Sequence, residues 1–306
     1  MNNSVCDNLV HRPLKSFLRE RFGKNCYQAS KAYMTWIDAN ILANFHLTQG
    51  ASGKIISLIQ SLSFKDNNFE IKSFFNFISD PKSAGSGLKQ LAMIKREPRF
   101  FIPAVANEML GTTYSSFGAI KLELLWLKKI VFPLPNHLWV QNLLSNHVYS
   151  ENQEKDIIVT NRLDDEIISQ ISEISQISNT EFLKWRLQSR KNKRVFVALN
   201  KKESSFVIGV RGNRKGIPVF RIIVAKGETS SILKNLYEIT SIAKKLGSIV
   251  LLVTVSSSVG RELTRKYRFK ERSGISTYLK SDNSDYDSET LMLFGDLGFD
   301  EQWGGR

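Results

Sequence analysis

In this 306-residue chain, the stretch Lys82-Ser83-Ala84-Gly85-Ser86-Gly87 holds the residue types and spacing best suited to chemistry. Glycines at alternate positions let the backbone approach a ligand closely and take up positive φ. Successive N–H groups at a helix start form a concavity for an anion, and the helix dipole reinforces it. The flanking residues supply that setting: Phe69 to Ile78 (FEIKSFFNFI) reads as a strand and Leu88 to Lys95 as a helix. The chemistry implied is the binding of a phosphate group. The stretch is not a Walker loop, because Gly-Lys-Ser/Thr is missing at the required spacing. It also departs from the dinucleotide fingerprint, whose third glycine position holds Gln90.

The elements that must position this loop follow from periodicity. Pro13 to Arg21 reads as a short amphipathic helix, and Tyr33 to Leu42 as a second helix centred on Trp36. Lys54 to Phe64 and Phe69 to Ile78 form a hairpin across Lys65-Asp66-Asn67-Asn68. Phe100 to Val105 is a strand, and Tyr114 to Leu125 is expected to complete the sheet. The order then repeats. Helices around Ile167 to Ile174 and Phe182 to Trp185 precede strands at Val195 to Leu199, Ser205 to Val210 and Val219 to Val224. A helix from Ser231 to Leu246, a strand from Ile249 to Val255, a helix near Arg261 to Tyr267 and a strand near Ile275 to Leu279 follow.

Trp36 and Trp185 are 149 residues apart, and at that offset each strand-like segment of the first half lands on one of the second. Tyr33-Met34-Thr35-Trp36 and Phe182-Leu183-Lys184-Trp185 share a pattern, which points to a duplication. The expected units are residues 1–148 and 149–306, each large enough for its own core. The expected class is α/β (α+β), with each unit a mixed, mostly antiparallel sheet flanked by helices.

Composition narrows the function classes. A net charge of +14 favours an anionic partner. Candidates are a nucleotide-bearing cofactor, a nucleotide- or lipid-linked sugar, an anionic membrane surface or a nucleic acid. Lys184 to Arg194 carries six basic residues and no acid, and Arg261 to Arg272 carries six against two acids, whereas acids crowd the stretch after Asp282. Cys6 and Cys26 cannot build a disulfide framework, and no Cys/His spacing suggests a metal site. With no signal-like leader and no apolar run approaching roughly 18 residues, a cytoplasmic protein is expected.

The Gly-x-Gly stretch resembles the pyrophosphate loop of GNAT acyltransferases, with Lys82 where Gln or Arg is usual and Gly85 and Gly87 matching. Asn107, followed by Leu110-Gly111, resembles the family's Asn-bearing segment. The Trp-centred segments, Phe-Leu-x-Trp-Arg at Phe182 to Arg186 and Gly295-Asp296 look like tandem GNAT proteins of bacterial surface-polysaccharide and cell-envelope pathways. The resemblance spans roughly residues 14–300 and implies an N-acyltransferase that uses acetyl-CoA or another acyl-CoA as donor and an amine as acceptor, such as an amino sugar. Lys82, Ser83, Ala84, Gly85, Ser86, Gly87 and Asn107 would then bind the donor. Family logic offers Glu70 as the base, with Asp80 and Glu108 as other acids considered, and Tyr114 as the acid for the departing thiolate. In the second half the matching stretch is Lys226-Gly227-Glu228-Thr229-Ser230-Ser231, where an acid opposes a pyrophosphate. One donor site, in the first half, is therefore expected. Two alternatives stay open: a Fem-type transferase using aminoacyl-tRNA, and a non-catalytic GNAT-like binding protein.

Overall fold

The alternating apolar residues of the two long hairpins do form the backbone of the molecule. The computed structural model describes residues 6–23, 29–30, 33–35, 43–66, 69–83, 85–131, 148–152, 156–188, 195–214, 217–281 and 291–292. The first half runs α1 (Cys6–Phe22), β1 (Ala43–Gln49), β2 (Ile55–Asp66), β3 (Phe69–Ser79) and α2 (Leu88–Arg96). It continues with β4 (Phe100–Val105), α3 (Glu108–Ser116), β5 (Ile120–Leu122) and β6 (Leu124–Ile130). The second half begins with β7 (Val148–Asn152), β8 (Ile157–Thr160), α4 (Asp165–Ser175) and α5 (Thr180–Leu187). Then come β9 (Val195–Asn200), β10 (Ser205–Arg214), β11 (Ile217–Lys226) and α6 (Thr229–Lys245). The half ends with β12 (Val250–Ser256), α7 (Ser257–Tyr267), β13 (Lys270–Glu271) and β14 (Ser276–Lys280).

Two mixed sheets result, and the halves exchange strands between them. The first sheet has the order β1-β2-β3-β4-β14-β5, and the second β13-β6-β12-β11-β10-β9-β8-β7. The last strand of the second half, β14, therefore lies between β4 and β5 of the first. The last strand of the first half, β6, lies between β12 and β13 of the second. A cut at 148/149 does not separate the two sheets, since each carries a strand from across it.

The duplication is visible at this exchange. α3 begins at Glu108 and α7 at Ser257, again 149 residues apart, and so are Gly111 and Gly260 within them. Both glycines sit against an exchanged strand. A Cβ on Gly111 would lie 2.3 Å from the Tyr278 hydroxyl, and one on Gly260 would lie 2.6 Å from Leu125 Cδ1. Neither helix could dock on its swapped strand with a side chain there.

One apolar core is shared by the halves. Phe64, Ile71, Phe75 and Phe101 of the first sheet pack with Ile167, Ile171, Phe182 and Leu183 of α4 and α5 and with Val197, Phe206 and Ile208 of the second sheet. The Phe64 and Phe182 rings meet edge to face at 5.0 Å. A second core lies between the other face of the second sheet and α6 and α7. A third lies between the first sheet and α2 and α3.

One expectation needs correction. Tyr114 is not in a strand: the Asn107 side chain accepts the N–H groups of Met109 and Leu110, which starts a helix that runs to Ser116. Gly118, at φ +87°, ends that turn before β5. The strands β1, β7, β8 and β13 were not anticipated, because all four are short. Of the expected helix at Tyr33 to Leu42, only residues 33–35 are described, so Trp36 lies outside the described residues.

Candidate functional site

Each sheet contains one parallel pair, and each pair opens. β3 and β4 are in register at Lys72↔Phe100 and Ser73↔Phe101 and no further. Beyond Ser73 the strand bulges: Leu58 pairs with Ile78 but Gln60 with Phe75, so Asn76 and Phe77 together face Ile59. Asn76 takes φ +51° there. Such a bulge bends its strand and strengthens the local twist, which carries β3 away from β4. On the other strand, Pro103 has no N–H to offer a ladder, and β4 slips register with β14 opposite it. The gap thus lies between Phe74–Ser79 and Ile102–Val105. A hydrogen-bonded trio holds the bulge: Asn76 donates to Gln60 Oε1, and Gln60 Nε2 lies 3.2 Å from the Tyr33 hydroxyl. Nothing in the residue types or spacing marked Asn76 or Gln60 in advance.

The Gly-x-Gly loop stands at the open end of this gap, between β3 and α2. It is a chain of tight turns, with the N–H of Ser83 donating to Asp80 O, Ser86 to Ser83 O and Leu88 to Gly85 O. Ser57 Oγ donates to Ser86 O at 2.6 Å, tying the loop to β2. Ser86 itself is buried and its hydroxyl reaches Asp80 O. Gly85 occupies φ +70°. Gly87 serves packing, because a Cβ there would lie 2.8 Å from Phe77 Cζ. Replacing Gly87 with Ala should destabilise the fold by about 1–3 kcal/mol, as overpacking does. Chemical denaturation would check this. Lys82 is exposed on the loop and Lys89 on the first turn of α2. Ala84 lies outside the described residues.

Asp80 is the loop's anchor rather than a free base. Its carboxylate accepts the Lys82 N–H at 3.0 Å and meets Arg21 of α1 at 2.6 Å. The backbone hydrogen bond from Lys82 and the Arg21 guanidinium hold its pKa below the usual value. A depressed carboxylate pKa contributes stability above the unfolded pKa and loses it as pH falls through the folded value. Acidification through and below the carboxylate range should therefore loosen loop and α1 together. Asp80→Asn at neutral pH should reproduce that change in amide exchange of Ser83 and Ser86.

The other expected site residues divide. Asn107 closes β4 at the same end as the loop, but its side-chain oxygen is engaged in capping α3. Glu108, beside it, is exposed in the first turn. Tyr114 is buried in the side-chain layer beneath the gap, sharing it with Phe74, Ile102 and Val105. Its ring contacts Phe100, Phe117 and Tyr278 at 6.0–6.5 Å, and burial pushes its pKa up to about 12. Glu70 is not brought to this place. It is exposed near the start of β3, about 30 Å of extended strand from the loop. There it lines a separate cavity of about 250 Å³ with Lys72, Glu97 and Arg99. A base must reach the reacting amine directly or through one water, so Glu70 does not fit that role.

The second half lacks the loop. β11 passes to α6 through Gly227 and Glu228 alone, and a Cβ on Gly227 would lie 2.4 Å from that of Ser205. β11 also bulges, at Ile223, just past its last parallel pair with β12. Opening is thus common to both halves, whereas an anion-sized loop is not. Among the described residues no cluster of His, Cys, Asp and Glu could hold a metal ion, and no helix is long and apolar enough to cross a membrane.

No family model and no curated protein matches the chain by sequence. Solved structures do match by shape. A tandem GNAT protein from the clavulanic acid biosynthesis pathway superposes with TM-score 0.51 at 8% identity, over 91% of this chain and 96% of that one. The GCN5-related glucosamine N-acetyltransferase region of a fungal multi-domain GH3 β-N-acetylglucosaminidase gives 0.55 at 12% identity over 89% of this chain. This chain spans 37% of that protein's length. Saccharomyces cerevisiae N-myristoyltransferase with bound myristoyl-CoA gives 0.53 at 10% identity, over 82% of this chain and 74% of that one. With its two opened sheets, its loop and its reciprocal strand exchange, the chain has the GNAT fold twice in tandem.

Proposed function

We propose that the chain is an acyl-CoA-dependent N-acyltransferase with one donor site, in the gap between β3 and β4. The observation that carries this reading is the pairing of that gap with an eight-residue turn at Asp80–Gly87, bordered by Arg21, Lys54 and Lys82, where the second half has two residues. The donor's pyrophosphate would lie on Lys82–Gly87 at the start of α2, and its pantetheine arm would run along the unpaired edge of β3. Backbone N–H groups of that edge would polarise the thioester carbonyl. A neutral amine attacks the carbonyl carbon, the C–N bond forms, the C–S bond breaks, the nitrogen's proton passes to a base, and amide and thiolate leave, the thiolate taking its proton from water. Glu108, at the mouth of the gap, is the carboxylate we assign to receiving that proton.

Tyr114 fits a supporting role toward the thiolate. Its raised pKa keeps the phenol protonated, so it donates a hydrogen bond but yields the proton less readily than an ordinary tyrosine. Tyr114→Phe should lower turnover about 10- to 150-fold, the scale of one hydrogen bond to a charged group at roughly 1.5–3 kcal/mol. With the native residue, the pH–rate profile should show no alkaline limb from this group until pH nears about 12.

An amino-sugar acceptor is supported by the likeness to the glucosamine N-acetyltransferase region, and it fits the surface-polysaccharide setting that the Phe-Leu-x-Trp-Arg run implies. The test is acyl transfer from acetyl-CoA to a panel of amino sugars, read by release of free thiol. Absence of release with every amine, together with no binding of any CoA ester, would remove the reading. The net charge of +14 supports one other donor, aminoacyl-tRNA; tRNA run in parallel with acetyl-CoA distinguishes them.

A further inference from the structure

On the first sheet, α2 stops short of the strands it covers. It has nine residues, about 14 Å of helix, whereas β3 has eleven, about 36 Å of strand. The counterpart in the second half, α6, has 17 residues, and its last two turns bury Ile239, Ile242 and Ala243. In the first half the chain turns back instead through Glu97, Pro98 and Arg99 and enters β4 at Phe100. The stretch of hairpin left uncovered, at the end away from the Gly-x-Gly loop, holds the cavity of about 250 Å³ that Glu70 lines.

The walls of this cavity are polar where the rest of that face is apolar. Phe74 packs with Ile94 of α2, and Lys72, two residues earlier on β3, shares its face. Ser63 stands directly opposite Lys72 on β2, and Lys65 opposite Glu70. The Lys72 ammonium meets the Glu97 carboxylate at 2.6 Å, both partly buried. Lys280 donates to the Glu97 carbonyl at 3.1 Å and braces the turn. His46, hydrogen-bonded to Ser61 at 2.7 Å, lies close enough to feel Lys72 and Glu97. Burial and then Lys72 lower its pKa, so it adds no charge at neutral pH.

The charges that line the cavity therefore balance, Lys72 and Arg99 against Glu70 and Glu97. Lys72 and Glu97 satisfy each other. Glu70 is exposed and, among the described residues, makes no hydrogen bond or ion pair, even with Lys65 across the strands. A simple anion would meet two carboxylates here, and a simple cation would meet two basic groups. A ligand carrying both charges leaves neither opposed. The spacing of the charges follows from the register. The pair Lys72↔Phe100 puts Glu70 two residues before it on β3 and Arg99 one residue before it on the neighbouring chain. Their backbones are thus about 6 Å apart, which suits a ligand whose ammonium and carboxylate share one carbon. The volume is just below that of drug-sized pockets, roughly 300–1,000 Å³, so the ligand is small.

We propose that this cavity binds a free α-amino acid, with its ammonium on Glu70 and its carboxylate on Arg99. Binding here is independent of acyl transfer, and either can fail alone.

Saturation-transfer NMR on the full chain tests this with the common amino acids one at a time, and with propionate and propylamine as single-charge controls. The expected result is that at least one amino acid binds and neither control does at the same concentration. Titration of the strongest binder should then show Glu70→Gln about fivefold weaker, the scale of one solvent-exposed ion pair. Ser63→Met, which fills the cavity and leaves every charge in place, should abolish binding, and both variants should melt as the parent does. Binding of no amino acid, or of propionate as tightly as any amino acid, would overturn the proposal. So would full binding by either variant.

Discussion

Split between residues 148 and 149, the chain should give two fragments that fail to unfold cooperatively alone and regain one transition when mixed. The reason is the position of β14. In the intact chain it lies between β4 and the edge strand β5 of the first sheet, with Thr277, Tyr278 and Leu279 buried. Burying Tyr278 and Leu279 contributes about 3–6 kcal/mol, at 1.5–3 for each large side chain. Without β14, β4 and β5 also lose their ladder partners, at about 1–3 kcal/mol for each group left buried and unpaired. A domain's total stability is about 5–15 kcal/mol, so the first fragment's deficit rivals its entire margin. The second fragment loses β6 between β12 and β13 and is in the same position. Circular dichroism melting of each fragment and of the equimolar mixture measures this. A sigmoidal melt of residues 1–148 alone would show that the exchange is dispensable.

Acetyl-CoA at about 100 times its dissociation constant should stabilise the intact protein by about 2.7 kcal/mol, and Gly85→Asp should abolish that gain. Gly85 sits at φ +70°, where a side chain is strained by roughly 1–2 kcal/mol. An added carboxylate there would face the pyrophosphate. The contrast control is Glu228→Gln in the second half, which removes an acid from the two-residue turn and should leave the gain unchanged. The readout is denaturant unfolding with and without ligand, because a melting temperature alone mixes binding with fold damage. A gain retained in Gly85→Asp would move the donor elsewhere. A gain lost in Glu228→Gln would make the second half part of the donor site.

Much of the local architecture was legible in residue patterns. Phe100 to Val105 alternates too little to be anything but a buried strand, and it is one. The hairpin around residues 65–68, the strand after Leu246 and the helices around Ile167 and Leu236 follow from periods of 2 and 3.6. The loop's glycines also signalled a turn between strand and helix. Their reasons were less legible: Gly85 supplies a left-handed backbone, whereas Gly87 makes room for Phe77. Gln90 read only as a missing glycine, yet its amide donates to Thr48 Oγ1 at 2.6 Å and ties α2 to β1. Glu70 was placed by its neighbourhood in sequence, and a strand carries neighbours in sequence far apart in space.

By itself, then, the sequence determined most of the longer elements, the repeat pattern, the positive charge and the one Gly-x-Gly turn between strand and helix. These depend on side-chain period, turn residues and composition, which act within about ten residues of each other. Only the tertiary structure decided that β6 and β14 change places and that β3 and β4 part after Ser73. A strand's apolar pattern states that both its faces will be buried but not which strands will lie beside it. That choice rests on packing between elements more than a hundred residues apart, such as Gly111 against Tyr278.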